Sequence, residues 1–160
     1  MTFEFFLWYR RVDTDIDLDS IHGTFFEDDM DVLVGCGQLE TGRLALDVSV
    51  EDDDAHRALD RALRTARRAL GNGELVKVGP EVEDLKEIGF LTELPAADLK
   101  AYAQQPWFPS PTYAKDTYRV DEVVKAIQTH AEVPVDPTDS LVAGVRAARA
   151  VNDLLKDLNG

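Results

Sequence analysis

Residues 43–78 read RLALDVSVEDDDAHRALDRALRTARRALGNGELVKV and carry the clearest pattern of strands and helices in the chain. Apolar residues alternate with polar ones over 43–50, which is the period of a strand with one buried face. Leucine and alanine then recur at helical spacing over 53–70, with aspartates at the start, an arginine pair at the end and Gly71 just beyond. These charges complement the helix dipole, and a terminal glycine can adopt the left-handed cap. We therefore predict a strand, a long helix and a second strand at 74–78.

The residues before this stretch add a further strand, helix and strand. Alternation over 3–9 predicts a strand, and 32–34 predicts a strand that runs into a turn. Between them, 19–26 predicts a short helix that buries Ile21, Phe25 and Phe26. The resulting order, β-α-β-β-α-β, is that of a ferredoxin-like fold, which we assign to residues 1–79.

After residue 79 the pattern changes to short helices separated by prolines. Helices are predicted at 81–89, 95–105 and 121–130. A last helix is predicted over 137–158, with Asp136 as its N-cap and Pro137 at its first position. The expected class is α+β, with a mainly helical unit and a C-terminal helix over residues 80–160.

The 160 residues include 31 acidic and 17 basic side chains, which gives a net charge of -14. Residues 1–79 carry 17 acidic and nine basic side chains, a net of -8, and residues 80–160 carry 14 and eight, a net of -6. This balance weighs against binding nucleic acid or an anionic membrane by bulk electrostatics. The hydrophobic fraction of 44% indicates a folded chain beneath that acidity.

The rare residues predict a reduced, cytoplasmic protein without a metal or another cofactor. Cys36 is the single cysteine, which excludes an internal disulfide and a zinc site built from cysteines. The three histidines lie in separate segments, without the spacing of metal ligands. No apolar run approaches the roughly 18 residues of a membrane span. The first residues place the apolar run before the Arg pair, the reverse of a signal peptide.

The alternating aspartates at 13, 15, 17 and 19 invite comparison with a calcium-binding loop. The sixth and twelfth positions, counted from Asp13, hold Leu18 and Thr24, whereas such a loop needs Gly and Glu there. A solvated loop that ends in a helix N-cap explains these residues better. No catalytic triad, Cys-His pair or paired carboxylates stand at a recognisable spacing, so we do not predict an enzyme.

Four arginines form one stripe along the long helix: Arg57, Arg61, Arg64 and Arg68. One interpretation is a docking strip for phosphate or for an acidic partner. The other is a solvated face, because Asp53, Asp54 and Asp60 stand within one helical turn of these arginines.

The last helix has apolar residues at the a and d positions of a heptad: Leu141, Val145, Ala148, Val151, Leu155 and Leu158. This stripe could be the seam of a homodimer or the face that packs on the rest of the chain.

An RNA-binding module with a four-stranded sheet is disfavoured. Such modules stack bases on aromatic side chains of the central strands. The strand at 43–50 has no aromatic residue, and the aromatic residues of 3–9 are expected to pack into the core.

The stretch LKEIGFLTELPAADLKAY, residues 85–102, resembles the helix-turn-helix of excisionase-like and MerR-like bacterial DNA-binding proteins. The segment WFPSPTY, 107–113, is similar to the FPxP segment that leads such proteins into their wing. The segment YRVDEV, 118–123, resembles the returning wing strand and the next helix. Together with VGCGQ…GRLALDV in the first half, the chain as a whole resembles bacterial helix-turn-helix proteins of this two-part build. The matching core positions are Leu85, Glu87, Ile88, Leu91, Leu94, Leu99 and Tyr102.

This resemblance implies a bacterial DNA-binding transcriptional regulator. The residues it places on DNA are Lys100, Gln104, Gln105, Tyr113, Lys115 and Arg119. The sequence departs from the pattern at Glu93, where the turn normally holds Gly, and at 95–98, PAAD, where base-reading helices carry long donors. A second hypothesis is therefore an acidic protein-interaction module, such as an antitoxin-like partner, an accessory protein or a DNA mimic, on a helix-turn-helix scaffold without base readout.

Overall fold

A computed structural model describes residues 1–35, 39–112, 116–131 and 138–159 of the chain. It confirms the α+β class, with a four-stranded antiparallel sheet and six α-helices in these ranges. The first part contains β1 (Thr2–Arg10), α1 (Leu18–Glu27), β2 (Asp31–Gly35), a 3₁₀ turn (Leu39–Thr41), β3 (Leu44–Glu51), α2 (Ala55–Leu70) and β4 (Glu74–Gly79). The second part contains β5 (Val82–Asp84), α3 (Leu85–Thr92), α4 (Ala96–Ala103), β6 (Thr117–Arg119), α5 (Val120–His130) and α6 (Thr138–Asn159).

The four-stranded sheet has the order β2-β3-β1-β4, and each strand is antiparallel to its neighbour. Leu7 of β1 lies opposite both Leu46 of β3 and Val78 of β4, so these apolar residues share one face. We call this buried face the inner face. In β1 and β3 it consists of the alternate residues predicted from the sequence: Phe3, Phe5, Leu7, Tyr9, Leu44, Leu46, Val48 and Val50.

Helices α1 and α2 join the inner face in the first hydrophobic cluster. Helix α2 begins after Asp54, whose carboxylate accepts the N–H of Arg57, and it ends at Gly71, which has a φ of 58°. In α1, Phe25 is buried as predicted, but Phe26 is 79% exposed. The prediction for Phe26 was wrong because successive helical residues point about 100° apart, which turns this ring away from the core.

The second part of the chain is built around β5 and β6, which pair as a two-stranded antiparallel sheet. The carboxylate of Asp84 accepts the N–H of Glu87 and caps α3. The sequence pattern predicted a helix from residue 81, whereas residues 82–84 form β5. The partner of Val82 is Arg119, far along the chain, so no local pattern indicated this strand. The buried residues of the second cluster are Ile88, Leu99, Phe108, Val120, Val123, Val124, Ile127, Leu141 and Val145.

Helix α6 packs against both parts, with contacts to β1, β4, α2 and α5. Ala147 and Ala148 belong to the first cluster, and Leu141 and Val145 belong to the second. The first half of the predicted heptad stripe therefore packs on the chain's own core, while Leu158 is 81% exposed. The predicted N-cap and first residue of this helix, at 136 and 137, lie outside the described residues.

One side chain of α6 also binds the edge of the four-stranded sheet. The Nδ2 of Asn152 donates to the carbonyl of Val78, and its Oδ1 accepts the N–H of Val78, both at 2.8 Å. The amide thus pairs with β4 as a neighbouring strand would.

Candidate functional site

Helices α3 and α4 pack against each other across a tight turn. Glu93, at the end of α3, has φ 58° and ψ 23°, a left-handed conformation that glycine adopts with the least strain. Leu99 is the one buried residue of α4. Most of the surface of α4 is therefore available for contact with another molecule.

Three of the six residues predicted to contact DNA lie on or just after α4. Lys100, Gln104 and Gln105 are all exposed. Arg119 lies on a different element, β6, where its side chain is 56% exposed and its Nη1 is 3.8 Å from Oε1 of Glu122. The other two predicted residues, Tyr113 and Lys115, lie outside the described residues.

The exposed surface of α4 offers few hydrogen-bond donors near its start. Ala96 and Ala97 are exposed and have no polar side-chain atom, and Asp98 beside them is an exposed carboxylate. Further exposed carboxylates belong to Glu93 in the turn and to Asp116 before β6. This region therefore has mixed charge, with the predicted cations set among acids.

The first two arginines of the predicted docking strip contact one carboxylate of the same chain. Arg57 and Arg61 lie 2.5 and 3.1 Å from Asp52, whose side chain is only 5% exposed. The hydrogen bond from Arg57 is the main reason why the pKa of Asp52 is lowered. This group fixes the start of α2 against the end of β3.

The other two arginines of the strip also contact carboxylates. Arg64 lies 3.0 Å from Asp60 within α2, and Arg68 lies 3.1 Å from Asp28, just after α1. The hydroxyl of Thr65 also donates to Asp28, and these hydrogen bonds lower the pKa of the Asp28 carboxyl. The strip thus links α2 to its surroundings, and its role in binding a partner stays a prediction.

The opposite face of the sheet carries a groove that the sequence analysis did not predict. It has a volume of about 470 Å³ and lies between the sheet and α3. Phe6 and Trp8 of β1 line it, with their ring centroids 6.1 Å apart and their planes at 70°. Nζ of Lys77, from β4, lies 4.8 Å from the Trp8 ring centroid. Leu33 of β2 and Phe90 of α3 are also in the lining, 71% and 68% exposed. We call this feature the outer-face groove.

Three carboxylates also line the outer-face groove, from Asp47 of β3, Glu83 of β5 and Glu87 of α3. Among the described residues, Oδ1 of Asp47 and Oε1 of Glu83 are buried without a hydrogen-bond partner. Burial raises the pKa of Asp47 to about 7, and the hydrogen bond and charge of Glu4 act in the same direction. Burial raises the pKa of Glu83 to about 7, against the opposing charge of Lys77. Carboxyls that titrate near neutral pH inside a groove mark a candidate functional site.

The alternation of residues in β1 indicated which aromatic side chains lie on the groove side of the sheet. The expectation that the aromatic residues of 3–9 enter the core is right for Phe3, Phe5 and Tyr9. It is wrong for Phe6 and Trp8, which occupy the opposite face and are only partly buried. Their position could be predicted from the period of the strand, but the wall formed by α3 could not.

The described helices and side chains also bear on membranes and metals. Among the helices of the described ranges, none is both long enough and apolar enough to cross a bilayer. The same ranges contain no cluster of three or more His, Cys, Asp or Glu side chains placed to hold a metal ion.

Comparisons of the chain with family models, with curated proteins and with solved structures gave no match.

Proposed function

We propose that this protein is a bacterial DNA-binding transcriptional regulator that acts through a winged helix-turn-helix in residues 80–160. The order β5-α3-α4-β6-α5 supports this proposal, because two helices joined by a tight turn precede a strand that returns to pair with β5. In helix-turn-helix proteins the second helix enters the major groove. The exposed surface of α4, which buries only Leu99, is the observation that carries the proposal.

The strand order supports a ferredoxin-like interpretation of residues 1–79. The sequence of elements β-α-β-β-α-β, with the sheet order β4-β1-β3-β2, agrees with that fold. In this proposal the first part serves dimerisation or sensing, and the second part contacts DNA.

The proposed contacts are mainly to phosphates. Lys100 supplies the cation on α4, and Gln104 and Gln105 supply amide donors near it, while Arg119 contributes from β6. Phosphate contacts set the register of a protein on DNA but do not read sequence. Because few cations are available, we expect weak binding with a shallow dependence on salt.

An acidic protein-interaction module is the second candidate, and one observation favours it. The first turn of α4 exposes Ala96, Ala97 and Asp98. Helix-turn-helix proteins read bases with residues at this N-terminal end of the second helix. A carboxylate there repels phosphate and attracts a basic surface. In this candidate, α4 binds another protein, as an antitoxin-like partner, an accessory protein or a DNA mimic would.

The proposal is tested with a fluorescent DNA duplex of mixed sequence and anisotropy at about 50 mM and about 200 mM salt. We expect binding that weakens with salt. Lys100→Ala is expected to weaken binding to all sequences alike and to reduce the salt slope by about one unit. Lys156→Ala, an exposed lysine on α6, is the matched control and should change neither quantity. Absence of binding at the lower salt contradicts the regulator and favours the second candidate.

Asp98→Asn separates the two candidates directly. Removing this charge strengthens binding to DNA if α4 faces phosphates, because a repulsion is lost. If α4 instead binds a basic protein surface, the same change weakens binding to polylysine, which serves as the basic probe. Unchanged binding to both probes would contradict a role for α4 in either function.

A further inference from the structure

Three lining residues of the outer-face groove, Phe6, Trp8 and Glu83, pack closely against Gly79. A Cβ added to Gly79 would lie 2.8 Å from Oε1 of Glu83, 3.1 Å from the Trp8 ring and 3.2 Å from the Phe6 ring. Glycine at 79 therefore lets a carboxylate and two aromatic rings converge on one place. Glu83 is only 7% exposed there, although it has an ionisable side chain.

The charges that line the groove favour a cation. Among the described lining residues, Asp47, Glu83 and Glu87 contribute three carboxyls, and Lys86 contributes one ammonium group. Within the described residues, two of the carboxyl oxygens are buried acceptors without a donor. A buried acceptor that lacks a donor is costly, so a ligand with N–H groups would gain free energy by supplying them.

The aromatic rings favour the same ligand. The faces of tryptophan and phenylalanine rings attract cations, and Nζ of Lys77, a residue outside the groove lining, makes such a contact with the Trp8 ring. An anionic ligand would be repelled by these carboxyls in their ionised form, which a bound cation would instead favour. A neutral apolar ligand would leave the buried acceptors unbonded.

We propose that the outer-face groove binds a small organic cation, namely a primary ammonium or guanidinium group attached to an apolar or aromatic body. The charged group donates hydrogen bonds to Asp47 and Glu83, and the body packs among Phe6, Trp8 and Phe90. A groove of about 470 Å³ accommodates a molecule of this size. Binding of this cation involves the groove alone and does not require the protein to bind DNA.

The test uses 2-phenylethylamine and agmatine as probes of the full chain, measured by isothermal titration calorimetry. Two analogues share the aromatic body of the first probe, the neutral 2-phenylethanol and the anionic phenylacetate. We expect saturable binding of at least one amine at one site per chain. The alcohol should bind about tenfold more weakly than 2-phenylethylamine, and phenylacetate more weakly still, because they lack the charge-assisted hydrogen bonds.

Variants place the binding in the groove. Asp47→Asn and Glu83→Gln are each expected to weaken amine binding about tenfold, while Asp139→Asn, an exposed carboxylate on α6, leaves it unchanged. Phe90→Ala removes an exposed part of the lining that the core does not need, and it should weaken binding of 2-phenylethylamine about threefold.

Three outcomes would overturn the proposal. The first is no saturable binding of either amine, and the second is equal binding of 2-phenylethylamine and 2-phenylethanol. The third is binding that the Asp47, Glu83 and Phe90 variants leave unchanged. Circular dichroism of each variant identifies any that do not fold, and Phe90→Ala then decides the location by itself.

Discussion

Two carboxyls of the outer-face groove, those of Asp47 and Glu83, have pKa values raised to about 7. In the unfolded chain these groups lose their protons near the ordinary values for Asp and Glu, about 4. Folding therefore takes up protons between about pH 4 and pH 7. The free energy of unfolding therefore falls as the pH rises through that window. Above the folded pKa both carboxyls are ionised, and the fold bears the whole cost of burying their charges.

We predict that the stability of the protein falls between pH 5 and pH 8 because of these two groups. Asp47 faces Glu4 and Glu87, and Glu83 faces Glu87, Asp84 and Lys77, so the surroundings are mainly acidic. The double variant Asp47→Asn, Glu83→Gln keeps the shape of the protonated carboxyls without their titration. Urea unfolding at the two pH values should show a smaller loss of stability in the variant than in the wild type.

The slope of stability against pH is compared between the variant and the wild type. Contributions from histidines and from other groups that both proteins share cancel in this comparison. Asp139→Asn, on the exposed surface of α6, serves as the control and should retain the wild-type slope. An equal slope in the double variant and the wild type contradicts the prediction.

For single residues, the sequence period predicted the face of the sheet to which a side chain points. It did not predict whether another element packs over that side chain. Phe5 and Phe6 are neighbours of the same type, and the strand period alone assigns them to opposite faces. Whether an outward side chain meets water or another element depends on the tertiary fold. Asp47 shares the lining of the outer-face groove with residues of α3, and no pattern within β3 indicates this proximity.

At the scale of elements, α6 has two ends with different surroundings. Val145, in its first half, is fully buried in the second cluster, while Leu158, near its end, is 81% exposed. Both belong to the same predicted heptad stripe, so the stripe does not act as one continuous surface.

We predict that truncation of the two residues has unequal effects. Val145→Ala leaves a cavity in a packed core and should lower the free energy of unfolding by about 2 kcal/mol. Leu158→Ala removes an exposed side chain and should change the free energy of unfolding by less than about 0.5 kcal/mol. Urea denaturation followed by circular dichroism measures both. A large loss in Leu158→Ala that shrinks on dilution would instead identify a homodimer seam at this end of α6, because the wild-type dimer itself dissociates when dilute.

Elements whose signals lie within their own residues could be predicted from sequence, whereas β5, which depends on a distant partner strand, could not. Helix α2, predicted at 53–70, spans Ala55–Leu70, because its period, charges and terminal glycine all act within the helix. Strand β5 has three residues, and its stability comes from pairing with β6, which is distant in the chain. The same distance explains why the sequence placed the start of α3 too early.

At the scale of the whole molecule, the change of sequence pattern at residue 79 does not separate two independent cores. Helix α6 contributes Ala148 to the first cluster and Val145 to the second. Arg149 of the same helix lies 3.4 Å from Glu81 and 3.0 Å from Asp121, which links it to the start of the second part. A single helix thus contributes to the stability of both parts.

We predict that the two parts unfold in one transition. Each part contains one tryptophan, Trp8 on the sheet and Trp107 beside the second cluster, where its ring stacks on His130 at 5.2 Å. Trp107→Phe leaves fluorescence that reports on the first part, and Trp8→Phe leaves fluorescence that reports on the second. Each variant should have the same urea midpoint by fluorescence as by circular dichroism, which follows the whole chain. A fluorescence midpoint that departs from its own circular dichroism midpoint contradicts the prediction.

The amide of Asn152 makes the two sides of the sheet unequal. Strand edges are templates on which further strands can add, and a sheet with two open edges can extend without limit. Here α6 packs along β4 and its amide occupies Val78, whereas β2, at the other side, has only β3 as a neighbour in the described sheet. Two molecules can therefore join by pairing their β2 strands. The pair cannot extend into a fibril by the same route, because both of its outer edges would be β4 strands against which α6 packs. Sedimentation velocity at high concentration should accordingly show no species larger than a dimer, and a series of larger species would contradict this prediction.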